Sequence, residues 1–208
     1  VLYHGHPICA VAAVTPEAAE DALALIDVEY EPLEPVLDVR GAMEPDAPIL
    51  HPDLRTRSLA GPGSTPTNVA AHMRFEIGDP DQGMAEADVV VEREFQTATV
   101  HQGYMEPHAA TAAWSPEGIL TIYTTTQGAF DVRTRVHELL HHPLADIRVV
   151  PTEVGGAFGG KNTGYTDVAA ALLARKAERP VRVVMSREET LMATGPTSGT
   201  WMRVTVGA

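Results

Sequence analysis

Three short stretches carry residue types at spacings that could do chemistry. The first is Val154-Gly155-Gly156-Ala157-Phe158-Gly159-Gly160-Lys161, with four glycines in six positions between a strand pattern and a helix pattern. With no Cβ atoms to hold a ligand off, backbone N–H groups at this density can approach and ring an anion; the same composition also serves as a plain flexible turn. Gly155 to Lys161 satisfies the first seven positions of a phosphate-binding loop, G-x-x-x-x-G-K. The eighth fails: Asn162 stands where a hydroxyl would hold magnesium, and Pro151 breaks the strand just before the loop. A nucleotide triphosphatase built on this loop would lack a main handle on its metal.

The second stretch, His137-Glu138-Leu139-Leu140-His141, fits the H-E-x-x-H pattern of zinc peptidases, two imidazoles one helical turn apart and a glutamate to activate water. At about 100° per residue, Val132, Val136 and Leu139 share one face and the two histidines point nearly opposite, towards solvent. Pro143 ends the helix, and Leu144, Ala145, Asp146 and Ile147 offer no third histidine. A polar helix face that happens to spell the motif accounts for it. The third stretch is His101-Gln102-Gly103-Tyr104-Met105-Glu106-Pro107-His108, followed after a hairpin by Thr124-Thr125-Thr126-Gln127. Taken singly, Glu106 reads as a surface carboxylate and Gln127 as a strand-end amide.

The elements that must position these residues follow from pattern and punctuation. Residues 6–14 read as a buried strand, Thr15 as the cap of a helix with Pro16 at its first position, and Val28 to Tyr30 as a further strand. From Glu31 to Thr67 seven prolines and little apolar period predict an extended connection, and the domain boundary is placed there. Beyond it the sequence predicts a strand over 88–99, a hairpin over 109–126 turning at Ser115 to Gly118, and a helix over 129–142. A short strand over 147–150, an Ala/Leu-rich helix over 165–178 and a strand over 181–185 complete a mixed α+β pattern, and the C-terminal WMRVTVGA reads as strand.

Composition removes several classes. A net charge of −13, from 28 acidic and 15 basic residues with no basic cluster, opposes nucleic acid and anionic lipid as partners. The lone Cys9 excludes an internal disulfide framework, a four-cysteine zinc site and an iron–sulfur cluster ligated by this chain alone, and it suits a reducing cytoplasm. No apolar run reaches the about 18 to 20 residues of a membrane span. At 208 residues, starting without Met and stopping within a strand pattern, the chain reads as cut from something longer.

The order HQGYMEPHAATA, then LTIYTTTQGAF with a Val-Arg helix, then IRVVPTEVGGAFGGK, then RPVRVVMSREE resembles the cofactor-binding region of the molybdenum hydroxylase large subunit. That family comprises the xanthine and aldehyde dehydrogenases and the aerobic carbon monoxide dehydrogenases. The opening GHPICAVAAVTPEAAEDALALIDVEYEPL is similar to the end of the preceding, hammerhead, domain of that subunit. The resemblance implies an α+β chain. Residues 1–55 would be the end of a small α/β hammerhead-like domain with its linker, and 56–208 the first part of a mixed α+β molybdopterin-binding domain.

The resemblance also implies roles for particular residues. A pterin dithiolene, in the cytosine dinucleotide form, holds the molybdenum, so no protein thiolate or imidazole is needed as a metal ligand. Gln127 stands at the position whose amide donates to an oxygen on the molybdenum. Gly155, Gly156, Ala157, Phe158, Gly159 and Gly160 place backbone amides beside the cofactor. Phe158 and Asn162 face the substrate, and Asn162, in place of an acidic residue of the xanthine-oxidising branch, argues against a purine. Ala157 replaces a usual glycine and fits only with a negative φ. The catalytic glutamate base and the other wall of the cofactor cage come from the remainder of the large subunit, with iron–sulfur and FAD partners carrying electrons away. The implied activity is oxidation of an aldehyde, N-heterocycle or related small molecule with water-derived oxygen, absent from the isolated chain. A non-catalytic remnant module is the alternative from another class.

Overall fold

In the computed structural model, which describes residues 1–195 and 197–208, proline and cap placement set the first elements. The Thr15 side chain accepts the Ala18 N–H at 3.2 Å, and Pro16 opens α1 (Pro16–Ala24), as the sequence predicts. The strands expected over 6–14 and 28–30 are not formed. A strand exists only where a neighbour takes its amides and carbonyls, and no described segment pairs with either stretch, which stay largely exposed.

The proline-rich connection makes a 3-10 turn at Gly41–Met43, a two-residue ladder between β1 (Arg57–Ser58) and β2 (Gly61–Pro62), and a single bridge from Arg57 to Ala71. Asn68 stitches it: its Oδ1 accepts the Leu50 N–H at 2.9 Å and its Nδ2 donates to the carbonyls of Ala42 (3.0 Å) and Pro48 (2.9 Å). Asp79 and Pro80 then repeat the cap arrangement on α2 (Pro80–Glu86), and β3 (Val90–Thr97) follows.

The residues singled out for chemistry belong to a four-stranded sheet. β4 (Ala109–Trp114) and β5 (Leu120–Thr124) form the expected hairpin, and α3 (Ala129–Leu140) returns the chain so that β6 (Ile147–Pro151) pairs parallel with β5. α4 (Asp167–Ala177) and β7 (Val181–Val184) follow, giving the strand order β6-β5-β4-β7, and then come α5 (Arg187–Ala193) and β8 (Thr200–Gly207). The period-2 pattern of β5 sends Leu120, Ile122 and Thr124 to one face, where Ala110, Ala112 and Ile147 join Val132 and Val136 of α3 and Ala170, Ala171 and Ala174 of α4 in one core. The alanines of α4 let that helix lie close on the strands. α5 has a capping box, Ser186 with Glu189, that its sequence pattern also spells.

By packing, the chain divides into two units: Val1–Glu29 with His101–Thr197, and Tyr30–Val100 with Ser198–Ala208. The first holds the four-stranded sheet and its core. The second holds the connection and an antiparallel ribbon in which β3 pairs with β8 from Val90↔Gly207 to Thr97↔Thr200. No residue of β3 is buried.

Candidate functional site

The parallel pair sets where the chemistry gathers. β5 and β6 run the same way, so their C-terminal ends deliver Thr124 to Gln127 and the glycine loop to one edge of the sheet, where open α/β sheets bind ligands. β4 runs the other way, so the segment that precedes it, His101 to His108, starts at that same edge.

The loop is held from beneath. Glu106 Oε2 accepts the Gly155 N–H at 2.6 Å and the Lys161 ammonium at 2.7 Å, and the Glu106 N–H returns a bond to the Gly155 carbonyl at 3.2 Å. The Lys161 side chain is 0% exposed, with its Nζ 5.0 Å from the Tyr104 ring centroid. The phosphate-loop reading fails here, because the lysine such a loop extends to a phosphate is buried and paired. Glu106, read singly as a surface carboxylate, is half-buried with its oxygen engaged.

Two glycines are required by space. A Cβ on Gly160 would stand 2.6 Å from Tyr104 Cε1, and one on Gly155 would stand 2.8 Å from Glu106 Cβ. Ala157 keeps a negative φ, as its side chain demands, and the left-handed turn falls on Gly156, Phe158 and Gly159 instead. Phe158, at φ 50° and largely exposed, carries its ring into solvent beside Gly156. Such a backbone is uncommon for an aromatic residue.

The loop amides then sort themselves. The Gly155 N–H is given to Glu106, the Gly160 N–H to the Ala157 carbonyl at 2.8 Å, and the Lys161 N–H to Gln127 Oε1 at 3.2 Å. Among the described residues, the N–H groups of Gly156, Ala157, Phe158 and Gly159 find no acceptor. Gln127 is exposed, and its backbone N–H also bonds the Lys161 carbonyl at 2.9 Å. With its Oε1 taken, the side chain has its NH₂ left as the free donor. Asn162 is exposed beside them.

Under the loop lies a buried polar relay whose protons can be assigned. His101 Nδ1 accepts the Gly103 N–H at 3.0 Å, so its proton sits on Nε2 and goes to Thr194 Oγ1 at 2.9 Å. Thr194 gives its own proton to the Thr190 carbonyl at 2.6 Å and must accept from the Tyr104 hydroxyl at 2.9 Å. Tyr104 in turn accepts from His108 Nε2–H at 2.7 Å. Burial, then the positive charge of Lys161, lowers the His108 pKa to about 4, so the ring stays neutral and keeps this donor role. Burial likewise raises the Tyr104 pKa. Arg187 clamps the segment from outside, donating to the carbonyls of Tyr104 (2.9 Å) and Met105.

The H-E-x-x-H residues are at the other end of α3. The buried stripe of that helix is centred nearer Val136 and Leu140 than on Leu139, which rotates Leu139 into solvent and leaves His137 half-buried. His137 Nδ1 donates to the His142 carbonyl at 2.7 Å. The helix ends at Leu140, and His141 is its left-handed cap at φ 50°, off the helical i, i+4 position the motif needs. Among the described residues no three His, Cys, Asp or Glu side chains converge into a metal-holding group.

The fold is thus a mixed α/β layer whose unengaged donors at one edge of the sheet are backbone amides and one carboxamide, with no metal-holding group among the described residues. Residues 62–208 match the family described as the molybdopterin cofactor-binding domain. The chain is 33% identical over 186 residues to the nicotinate dehydrogenase large molybdopterin subunit of Eubacterium barkeri, covering 89% of this chain and 41% of that one. It is 33% identical over 200 residues to the carbon monoxide dehydrogenase large chain of Afipia carboxidovorans, covering 93% and 24%. Among solved structures, reconstituted CO dehydrogenase from Oligotropha carboxidovorans superposes with a TM-score of 0.77 at 31% identity, over 93% of this chain and 24% of that one. This chain belongs to the molybdenum hydroxylase large-subunit family, with residues 62–208 in the molybdopterin cofactor-binding domain. It spans from about a quarter to two-fifths of the length of these relatives.

Sequence reasoning placed Gln127 and the loop at one site and missed the groups that hold them: Glu106, Lys161, Tyr104, His108 and Thr194. One signal was available, a lysine directly after a glycine run with a glutamate inside a His/Tyr-rich segment. Opposite charges in apolar surroundings are seldom buried unless paired.

Proposed function

We propose that this chain supplies one wall of the active site of a molybdenum hydroxylase-type oxidoreductase acting on an aldehyde, N-heterocycle or related small molecule. The observation that carries this reading is the set of four unengaged loop N–H groups, Gly156 to Gly159, beside the free NH₂ of Gln127 at the C-terminal ends of two parallel strands. Five donors and no chelating side chains suit an anionic pterin group that arrives with its sulfur ligands in place. Bound there, the cofactor supplies two-electron redox chemistry and oxygen transfer, and its cytosine dinucleotide form is the one we propose. Gln127 and the loop amides orient it, with Gly155 and Gly160 as frame. Phe158 and Asn162 border the substrate, the aromatic ring excluding water from one side.

In this reading the proton-accepting base and the opposite wall belong to the remainder of the large subunit, and iron–sulfur and FAD partners take the electrons. Residues 1–55 correspond to the end of a hammerhead-like domain and its linker, and 56–208 to the first part of the cofactor-binding domain. No described helix is long and apolar enough to cross a membrane, and we place the protein in the cytoplasm.

The test is made in a host that synthesises the cofactor, by molybdenum and pterin analysis of the intact subunit and of this chain alone, with turnover of an aldehyde panel using an artificial electron acceptor. The intact subunit should retain molybdenum and turn over, Gln127→Ala should lower its turnover about 10²-fold or more, and the isolated chain should be inactive. Comparable turnover by the isolated chain would overturn the one-wall reading.

A further inference from the structure

We infer that Glu106 and Lys161 are positioning residues that lock the glycine loop to Gln127, so that four backbone amides and one carboxamide present a single preformed donor array. The inference rests on the reading of the site above. A single carboxylate oxygen, Glu106 Oε2, holds both ends of the segment: the Gly155 N–H at 2.6 Å and the Lys161 ammonium at 2.7 Å. Lys161 then reaches Gln127 through its main chain, its N–H on Gln127 Oε1 at 3.2 Å and its carbonyl accepting both the Gln127 N–H at 2.9 Å and the Thr126 hydroxyl at 3.0 Å. Among the described residues, no other bonds both to Glu106 and to Gln127. A displacement of Lys161 therefore moves the end of the loop and rotates the carboxamide together.

Stability alone does not call for this pair. An apolar side chain of similar volume generally serves a buried position as well as an ion pair does or better, whereas a pair fixes geometry. Here the geometry fixed is that of the segment whose Gly156 to Gly159 N–H groups find no acceptor among the described residues. Preorganised donors are worth most when they need no rearrangement as the ligand binds. The pair is also asymmetric. Lys161 is fully buried, while the Glu106 side chain is 29% exposed and open to water on one side. Removing the carboxylate strands a buried cation, but removing the cation leaves a carboxylate that water can solvate and that still holds the Gly155 N–H.

The experiment compares Glu106→Met, Lys161→Met and the double variant in the full protein, by hydrogen exchange of peptides covering residues 152–163, with peptides from β5 and α4 as internal reference. Molybdenum-to-protein ratio is measured on the same preparations, beside Gln127→Ala. Glu106→Met should speed exchange across the whole loop about tenfold or more, and Lys161→Met should speed it at the lysine end while sparing Gly155. The double variant, which has no stranded charge, should fold even if Glu106→Met does not, and should show the loosened loop with reference peptides unchanged. All three should retain less molybdenum than the parent. Unchanged loop exchange in the double variant overturns the inference. So does a loosened loop with full molybdenum retention while Gln127→Ala loses it. If Gln127→Ala also retains it fully, the cofactor reading of this edge fails, and the exchange data still report whether the clamp exists.

Discussion

Two of the three short stretches meet α3, the glycine loop through Gln127 ahead of its N-terminus and H-E-x-x-H at its C-terminal end, and only the first gathers distant segments. Before the helix N-terminus, Gln127 and the glycine loop have their backbone and side-chain groups tied to Glu106, Lys161 and one another. At its C-terminus, His137 closes a local turn onto the His142 carbonyl, and His141 is an exposed left-handed cap. Both stretches match known patterns over five to seven letters. What separates them is whether distant segments engage the motif's own side chains: the loop end gathers residues from 101–108, 126–127, 155–161 and 187–194, whereas at the cap end the distant contacts, the Gly118 carbonyl at 3.0 Å and the Trp114 ring, fall on His142, outside the motif. A motif becomes a site when the fold holds its donors from behind and leaves them free in front.

The largest expected effect that sharpens this contrast is pH dependence at the loop end. His108 is held neutral with a pKa of about 4, against about 6.5 in an unfolded chain. Below pH 6.5 the unfolded chain takes up a proton that the folded one refuses, so stability falls as pH drops from about 6.5 through about 4. His108→Gln, which keeps a side-chain N–H for Tyr104, should remove a slope amounting to on the order of 2–3 kcal/mol over that window. Denaturant unfolding at pH 7 and pH 4.5 measures it. An unchanged slope would show that the relay under the loop is not as dry as its burial indicates.

Next in size, Gly160→Ala should cost about 1–3 kcal/mol by overpacking, since the added Cβ meets Tyr104 Cε1 at 2.6 Å and the Ala157 carbonyl at 3.1 Å. Urea unfolding of the variant beside its parent gives the number, and a neutral result would mean the loop sits looser on Tyr104 than this geometry allows. The smallest effect belongs to the cap end and has the opposite sign. His141→Gly should stabilise the protein by about 0.5–1 kcal/mol, the relief of left-handed strain less the entropy of the glycine. It should leave cofactor content untouched. A loss of stability or of bound metal on that substitution would bring His141 back as a functional residue.

Local chemistry was legible in the letters where the cause is itself local. Thr15-Pro16 starts a helix because cap and first turn are neighbours in sequence, Ser115 to Gly118 turns a hairpin, and the alternation of Leu120, Ile122 and Thr124 sets which face of β5 is buried. The glycine density at 155–160 announced a backbone-lined loop, and the order of four motifs announced its family. The strands expected at 6–14 and 28–30 went wrong for the complementary reason, since an apolar run becomes a strand only when something pairs with it. Leu139 went wrong because the position of a helix's buried stripe depends on the sheet it packs against. That Glu106 would reach across 49 positions to Gly155, that Lys161 would be buried beneath the loop, and that the N–H groups of Gly155 and Gly160 would be engaged while those of Gly156 to Gly159 find no acceptor among the described residues, were decided by tertiary structure alone. Hydrogen bonds and burial between distant segments depend on strand order and register, and a single sequence encodes those only through the whole fold.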